Sequence, residues 1–559
     1  MAADPSPAKP TLPTSVEQMF PTLTPAQVER VAAHGRRRAV QRGEILFEAG
    51  QERPPFFVVT SGKVDILRPS RHGEDLVVIH QPGQFSGEVQ TLSGRRTLMR
   101  ARVREPGEVL ELDHAGILTL VQVDSELSEI LMRAFILRRL ELVAHGFGDV
   151  VLVGSQHSAG TLRIKEFLAR NSHPYSYVDL DHDPDVQELF DHFKFTAADI
   201  PVLICRGELL LRDPSNHDIA ECLGFNENID SGQLRDLIVI GAGPSGLAAA
   251  VYGASEGLDV LVIETDSPGG QAGSSSRIEN YLGFPTGITG QELGARAYAQ
   301  AQKFGAQLSI ARGARKLLCG QRPYRIETED GKSYAARCVL IASGAAYRKP
   351  PLPNLARFEG AGIYYAATFM EAQLCTGEEV IMVGGGNSAG QAAVFLAENA
   401  RHVHMLVRAE GLAASMSRYL IRRIEEHPRI TLHVRTEIAA LEGAAHLEKV
   451  RWLDHAVGQE QENPIRHVFI MAGADPATGW LQGCLTLDPH GFIKTGIDLS
   501  PEELAAAHWA RSQPPQAFET SLPGVFAVGD VRSGSIKRVA SAVGEGSVAI
   551  SFVHKSLQE

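Results

Sequence analysis

The sequence predicts a multidomain chain of mixed α+β and α/β architecture, with an all-β unit in front and parallel, doubly wound units behind. Three observations lead there. Residues 40 to 113 alternate short apolar runs with turn residues, the pattern of a barrel or sandwich. Beyond residue 234, apolar runs alternate with helical segments, the order that builds a parallel sheet. Two glycine-rich turns, at Gly241 and Gly384, each join a predicted strand to a predicted helix. A chain of 559 residues has room for several such units, since a domain takes roughly 100–200 residues.

Composition narrows the function class. A net charge of −12 opposes nucleic acid or an anionic membrane as the main partner, because phosphate binding rests on Lys and Arg. No apolar run approaches the roughly 20 residues of a membrane helix. The opening "MAADPSPAKPTLPTSVEQMF" has no basic stretch followed by an apolar one, so no secretion signal is predicted. A cytoplasmic location is expected. The six cysteines, Cys205, Cys222, Cys319, Cys338, Cys375 and Cys484, are scattered, and no two are three residues apart. That spacing suits neither a metal site nor a disulfide framework, so reduced thiols and no metal are expected.

The leading β unit contains "RGEILFEAG", "PFFVVTSGKVDILRPS", "EDLVVIHQPGQFSGE" and "RARVREPGEVLELD". Behind it, "DSELSEILMRAFILRRLELV" puts Leu127, Ile130, Leu131, Ala134 and Phe135 at helical spacing after an Asp124/Ser125 N-cap. A roll closed by a long helix over 124–145 accounts for residues 13–147. Residues 148–228 change character. "DVVLVG" reads as a strand, "SAGTLRIKEFLARN" as an amphipathic helix and "YSYVDLD" as a strand. "PDVQELFDHFK" reads as a helix, "DIPVLICRGELLLR" as a strand pair and "NHDIAECLGF" as a last helix. The order is βαβαββα, and "NENIDSGQ" is a linker.

"RDLIVIGAGPSGLAAAVYGASEGLDVLVIE" runs strand, Gly241-x-Gly243-x-x-Gly246, helix, strand, acid. The first glycine permits a tight turn, the second lets a diphosphate approach the backbone, and the third packs helix on strand. Glu264 closes the second strand, where a carboxylate binds a ribose diol. "TSLPGVFAVGDVRSGSIKRVASAVGEGSVAISFV" ends a strand in Gly529-Asp530 before another helix.

Residues 234 to 556 resemble the low-molecular-weight bacterial thioredoxin reductases. The matching segments are "GAGPSGLAAA", "PGGQAGSSSRIENYLGFP", "VLIASGA", "VGGGNSAGQAA" and "LPGVFAVGD", in family order. The resemblance implies two Rossmann-like domains, one for FAD at 234–349 and 473–556, interrupted by one for NAD(P)H at 350–472. By position, Gly270, Gln271 and Asn280 should lie against FAD. Gly529, Asp530, Arg538 and Val539 should close around its ribityl chain and ring. Lys537 and Arg538 depart from the family's usual Arg-Gln. Gly384, Gly386, Asn387 and Ala389 should bind the nicotinamide cofactor's diphosphate. Val407 offers no carboxylate at the next strand end, and Arg408 follows it, which favours NADPH over NADH. The family's fuller basic pattern is thinned by Ala409 and Ala413. A homodimer is also implied.

In the family, a Cys-x-x-Cys followed by an acid precedes the second glycine loop. Here those cysteine positions hold Ala367 and Met370, and the acid position holds Glu371, a candidate proton donor. Methionine cannot replace a thiolate in disulfide exchange. Cys375 reads as a small buried hydrophobe.

The leading unit resembles the cyclic-nucleotide-binding β-roll. Its phosphate cassette maps onto Gly87, Glu88 and Arg95, for a ligand such as cyclic AMP or cyclic GMP; Glu88 would meet the ribose and Arg95 the phosphate. Ser86 and Gln90 depart from usually apolar or small positions, and Arg96 competes with Arg95. Residues 148–228 resemble a thioredoxin or glutaredoxin fold entered through a cis proline at Pro201. Ser158 and Thr161 stand where its two cysteines would be, beside His157.

Together the resemblances imply hydride transfer from NAD(P)H to FAD and on to an external acceptor: a quinone, oxygen, a small redox protein or an external disulfide. Two alternatives stand beside this: disulfide reductase activity retained through other thiols, and a flavoprotein sensor with little turnover.

Overall fold

The computed structural model describes residues 16–70, 73–88, 90–145, 148, 150–155, 158–180, 199–206, 209–226, 229–481, 483–509 and 511–559. The expected helix in "PDVQELFDHFK" and His157 lie outside the described residues.

The leading unit is a five-stranded antiparallel sheet. Arg36–Val40, Arg100–Leu112, Phe56–Ser70 and Gly73–His80 follow one another across it, and Ile45–Phe47 also pairs with Arg100–Leu112. An unanticipated helix, His114–Val123, comes next. Helix α1 (Ser125–Ala144) starts where the N-cap signal placed it, with the Asp124 carboxylate accepting from the Leu127 N–H at 3.0 Å. Its Leu127, Leu131, Ala134 and Phe135 join Phe56, Phe85 and Leu110 in one core.

A four-stranded sheet follows, in the order Ser176–Asp179, Val150–Gly154, Val202–Cys205, Leu209–Arg212. The first pair is parallel and the other two are antiparallel. Helix α2 (Ala159–Arg170) is capped by Ser158 and buries Thr161, Ile164, Phe167 and Leu168. Helix α3 (Asn216–Cys222) closes the unit. The Ile200–Pro201 peptide is cis.

The largest sheet runs Gln307–Ser309, Val260–Ile263, Leu234–Ile240, Ser333–Ile341, Tyr324–Thr328, Ala314–Leu318. Val525–Ala527, almost two hundred residues on, pairs in parallel with Ser333–Ile341. Its central strands are short runs of Val, Ile and Leu buried on both faces, as a parallel sheet requires. Helices α4 (Pro244–Ser255) and α5 (Gly290–Lys303) flank it, and the closing helix α8 (Val539–Gln558) packs on α4.

The intervening chain forms its own parallel sheet of Ile363–Tyr364, His467–Ile470, Glu379–Val383, His402–Val407 and Ile430–Val434. Helices α6 (Phe369–Leu374) and α7 (Asn387–Leu396) belong to this unit. An antiparallel ribbon, Ala345–Tyr347 with Ala474–Pro476, carries the chain out and back. Among the described residues, no helix is long and apolar enough to cross a membrane.

The cysteine expectation is corrected. Cys205 pairs with Cys222, and Cys319 with Cys484, as disulfides. Sequence spacing hid both because the fold, not the chain, makes them neighbours. Cys319 leaves the strand Ala314–Leu318, and Cys484 follows a turn packed against that strand, 165 residues later. Cys338 and Cys375 are free and buried.

Candidate functional site

The first glycine loop sits at the end of Leu234–Ile240. Gly241 has φ 102°, and a Cβ there would lie 2.4 Å from the Ala342 carbonyl oxygen. A Cβ on Gly246 would stand 1.9 Å from the Gly241 oxygen, so these two glycines serve the fold itself. Gly243 differs. The nearest atom to a Cβ there is Gly270 Cα at 3.9 Å, so its side-chain position is open, while a Cβ on Gly270 would lie 2.9 Å from the Gly243 Cα, so the two backbones pack together as one wall of a cradle. The N-terminus of α4 points its unbonded N–H groups into that cradle, the arrangement a diphosphate fits.

Glu264 is 8% exposed and braces the loop. Its Oε2 accepts the Ala242 N–H at 2.6 Å, and its Oε1 accepts the Asp266 N–H at 2.9 Å. Burial pushes its carboxyl above the usual range, and the two N–H donors oppose that. On the returning segment, the Gly529 N–H donates to Glu545 at 2.7 Å, and Gly529 abuts Ser245 at the start of α4. Asp530 is half-buried, with its carboxyl raised by burial and opposed by Lys537. Arg538 is the exposed N-cap of α8, and Val539 is the first residue inside it. Gln271 donates its Nε2 to the Ala345 carbonyl. Asn280 is exposed. The structure thus gathers Gly243, Gly270, Glu264 and Gly529 around one loop.

The second loop repeats the design. Gly384 has φ 139°, and a Cβ there would lie 2.3 Å from the Met471 oxygen. Nothing lies within 4 Å of a Cβ on Gly386, the N-cap of α7. Asn387 Oδ1 accepts the Ser417 N–H at 2.7 Å, and Ala389 is buried against the strand. Arg408 is exposed just past His402–Val407 and forms no ion pair among the described residues.

One cleft lies between the two loops. Gln271, Ser275, Tyr347, Ala367, Ser388 and Met471 line it. Ala367 is 2% exposed and Met370 half-buried. Thr368 caps α6 in a capping box with Glu371, whose Oε2 accepts the Thr368 N–H at 2.7 Å. Glu371 is 3% exposed, and burial raises its carboxyl while the Thr368 hydrogen bonds oppose that rise. Sequence position alone did not reveal this bracing role.

In the roll, a Cβ on Gly87 would sit 3.0 Å from the Phe135 ring, and the Gly87 carbonyl accepts from Arg138 at 2.7 Å. Glu88 lies 3.7 Å from Arg139. The Arg95 guanidinium lies over the Phe225 ring at 4.3 Å and the Tyr298 ring at 5.5 Å, between the four-stranded unit and α5. Arg96 pairs with Glu52 at 3.2 Å. Arg139 Nε also donates to the Ser172 carbonyl at 2.7 Å. Sequence reasoning missed Arg138 and Arg139, although two buried arginines side by side in an amphipathic helix are a readable anomaly. Burial drives Arg138 down to about 9, and Glu88 opposes that shift.

A family model described as pyridine nucleotide-disulphide oxidoreductase matches residues 235–546. The chain belongs to that family. A second model, cyclic nucleotide-binding domain, matches residues 37–124. The thioredoxin reductase of Bacillus subtilis is 32% identical over 327 residues, covering 58% of this chain and 96% of the relative. That of Mycolicibacterium smegmatis is 32% identical over 319 residues, covering 57% of this chain and 95% of the relative. Among solved structures, the Lactococcus lactis thioredoxin reductase aligns at TM-score 0.52 and 25% identity, covering 58% of this chain and 99% of that one. The T. acidophilum enzyme aligns at 0.52 and 27%, with the same coverage. The fold is thus that of an FAD and NAD(P)H oxidoreductase of thioredoxin reductase type behind a cyclic nucleotide-binding domain.

Proposed function

We propose that this chain is an FAD-dependent NAD(P)H oxidoreductase whose electrons leave to an acceptor outside the chain, under control of the N-terminal roll. Two glycine loops that each open a helix, and a cleft with no cysteine among the described residues that line it, carry this reading. Bound there, FAD supplies hydride acceptance from a nicotinamide and onward electron delivery. Gly243, Gly270 and the α4 N–H groups hold its diphosphate, and Glu264 takes the ribose diol. Gly386, Asn387 and the start of α7 hold the second diphosphate. Arg408, unpaired at the strand end, favours a 2′-phosphate and hence NADPH. Glu371 is our proton source, kept protonated more readily by burial and aimed by Thr368.

The disulfide-bonded cysteines do not favour an internal relay. Cys205 and Cys222 are buried in the four-stranded unit. Cys319 follows Leu318, which pairs with Arg325; Arg325 pairs with Ala335, and Ala335 with Leu234. Leu234 lies six residues before Ile240, so about 20 Å of strand separates that level from the flavin loop.

For regulation, Arg95 is already committed across a unit boundary, and Glu88 is linked to one through Arg139. Glu88 faces Arg139, which holds Ser172, and Arg95 stacks on Phe225 and Tyr298. A cyclic nucleotide taking Glu88 and Arg95 competes with that docking. Calorimetry with cyclic AMP and cyclic GMP tests this: binding by the wild type and loss in Arg95→Ala is expected, and no heat with the wild type defeats ligand gating. An acceptor screen with NADPH-reduced protein tests the main reading. Turnover with a quinone, oxygen or a redox protein without a disulfide supports it; ordinary rates with NADPH plus thioredoxin point to a retained dithiol relay and overturn it.

A further inference from the structure

Helix α2 lays one stripe of side chains across both nucleotide-binding units. Ala159, Leu162, Glu166 and Arg170 fall at i, i+3, i+7 and i+11, one face of a helix. Thr161, Ile164, Phe167 and Leu168 occupy the other face and fill the core of the four-stranded unit. The stripe is therefore free to contact something else, and it does so along its whole length.

At the first turn, a Cβ on Gly360 would lie 2.6 Å from the Ala159 Cβ. Leu162 packs against the apolar core that contains Tyr364, Ala367, Ala372 and Cys375. Glu166 lies within charge-interaction range of Glu371 on α6. At the last turn, Arg170 reaches Asp266 at 3.2 Å and donates to the Gly270 carbonyl at 2.8 Å. Neighbouring bonds fasten the unit further. Asn216 donates to Asp266 at 2.7 Å, Gln291 donates to the Ala169 carbonyl at 2.8 Å, and Arg312 pairs with Glu221 at 2.6 Å. The contact starts one residue after Ser158, passes α6 at Glu166 and ends at Asp266 and Gly270, so one interface runs from the first vacated dithiol position past the helix that carries the second.

We propose that the four-stranded unit is a resident cap: α2 occupies the face around Ala367 and Glu371 that a protein acceptor would need, leaving only small acceptors access to the cleft. This deepens the external-acceptor reading and rests on it. A redox protein must bring its own centre close to the cleft, and Leu162 already packs against the apolar core to which Ala367 belongs. A quinone-sized molecule needs no such face.

The test uses the full chain carrying Ala159→Arg and Leu162→Glu. Neither residue belongs to the buried face of α2, so the unit keeps its core. A second variant, Leu162→Ala, removes the packing without adding charge. Hydrogen exchange over 360–375 is read first, followed by turnover with ferricyanide and with cytochrome c under NADPH. Exchange in α6 should quicken by about tenfold or more in the double variant and less in Leu162→Ala. The ratio of cytochrome c to ferricyanide turnover should rise in the same order. Unchanged exchange in both variants overturns the cap, as does a wild type that reduces cytochrome c as fast as ferricyanide. If neither probe is reduced by any form, the external-acceptor reading has failed, and exchange alone still decides whether α2 covers α6.

Discussion

Substituting alanine at two neighbouring glycines, Gly243→Ala and Gly246→Ala, should have opposite consequences. At Gly246 the new Cβ would sit 1.9 Å from the Gly241 carbonyl oxygen. Ordinary contacts lie beyond about 3.4 Å, so α4 must move away from its strand by more than an ångström. Overpacking of this kind costs about 3 kcal/mol or more. That lowers the melting temperature of the flavin-binding unit by roughly 6–12 °C. At Gly243 the same methyl meets nothing closer than 3.9 Å, and the backbone φ of −70° is ordinary. The flavin-free protein should therefore melt within about 1–2 °C of wild type. The methyl instead fills the space reserved for the diphosphate. A loss of about 3 kcal/mol in binding weakens FAD by roughly a hundredfold, so Gly243→Ala should purify colourless yet folded. The assays are flavin absorbance per chain, flavin titration of the stripped protein, and a thermal melt. Gly243→Ala with full flavin and affinity within threefold of wild type would refute the cradle, as would a large loss of stability in its flavin-free form.

Other expectations follow from the same contacts. Denatured without reductant, the chain should expose two thiols, Cys338 and Cys375; six would show that neither disulfide forms. Arg312 is 2% exposed and bridges Glu221 at 2.6 Å and Asp330 at 3.0 Å. Arg312→Met removes both ion pairs and leaves Asp330 its hydrogen bonds from Thr328 and Lys332, so it should cost about 1–3 kcal/mol in a thermal melt; a change below about 0.5 kcal/mol would remove its structural weight. Burial pushes Glu166 up to about 7, with Arg170 opposing and Glu371 and Asp266 adding to the rise. A raised carboxyl favours docking when protonated, so that contribution is complete below about 4.5 and lost as pH rises through about 7. Hydrogen exchange in α6, corrected for its intrinsic pH dependence, should be faster at pH 8 than at pH 6. The difference should vanish in Glu166→Gln; an equal difference in both proteins would contradict it.

Local signals made much of this molecule legible. The Asp124 cap, the apolar spacing of α1 and the Gly241-x-Gly243-x-x-Gly246 turn each depend on residues within one or two turns of chain, and each was readable. The return of Val525–Ala527 to the largest sheet was legible only through resemblance, since no local pattern announces a strand's distant partner. The disulfides were misread for that reason. Glu371 was legible as an acid ahead of the second glycine loop, but its capping box with Thr368 was not. The cassette positions were assigned from the sequence, but their neighbours were not. Phe225, Tyr298 and Arg139 reach Arg95 and Glu88 from other elements.

An anaerobic titration of the flavin-loaded chain with NADPH tests the central claim most directly, because it counts the electrons the protein can hold. With no dithiol at Ala367 and Met370, one equivalent of NADPH, two electrons, should bleach the flavin completely. A requirement for two equivalents would reveal a second two-electron centre in contact with the flavin and contradict the account.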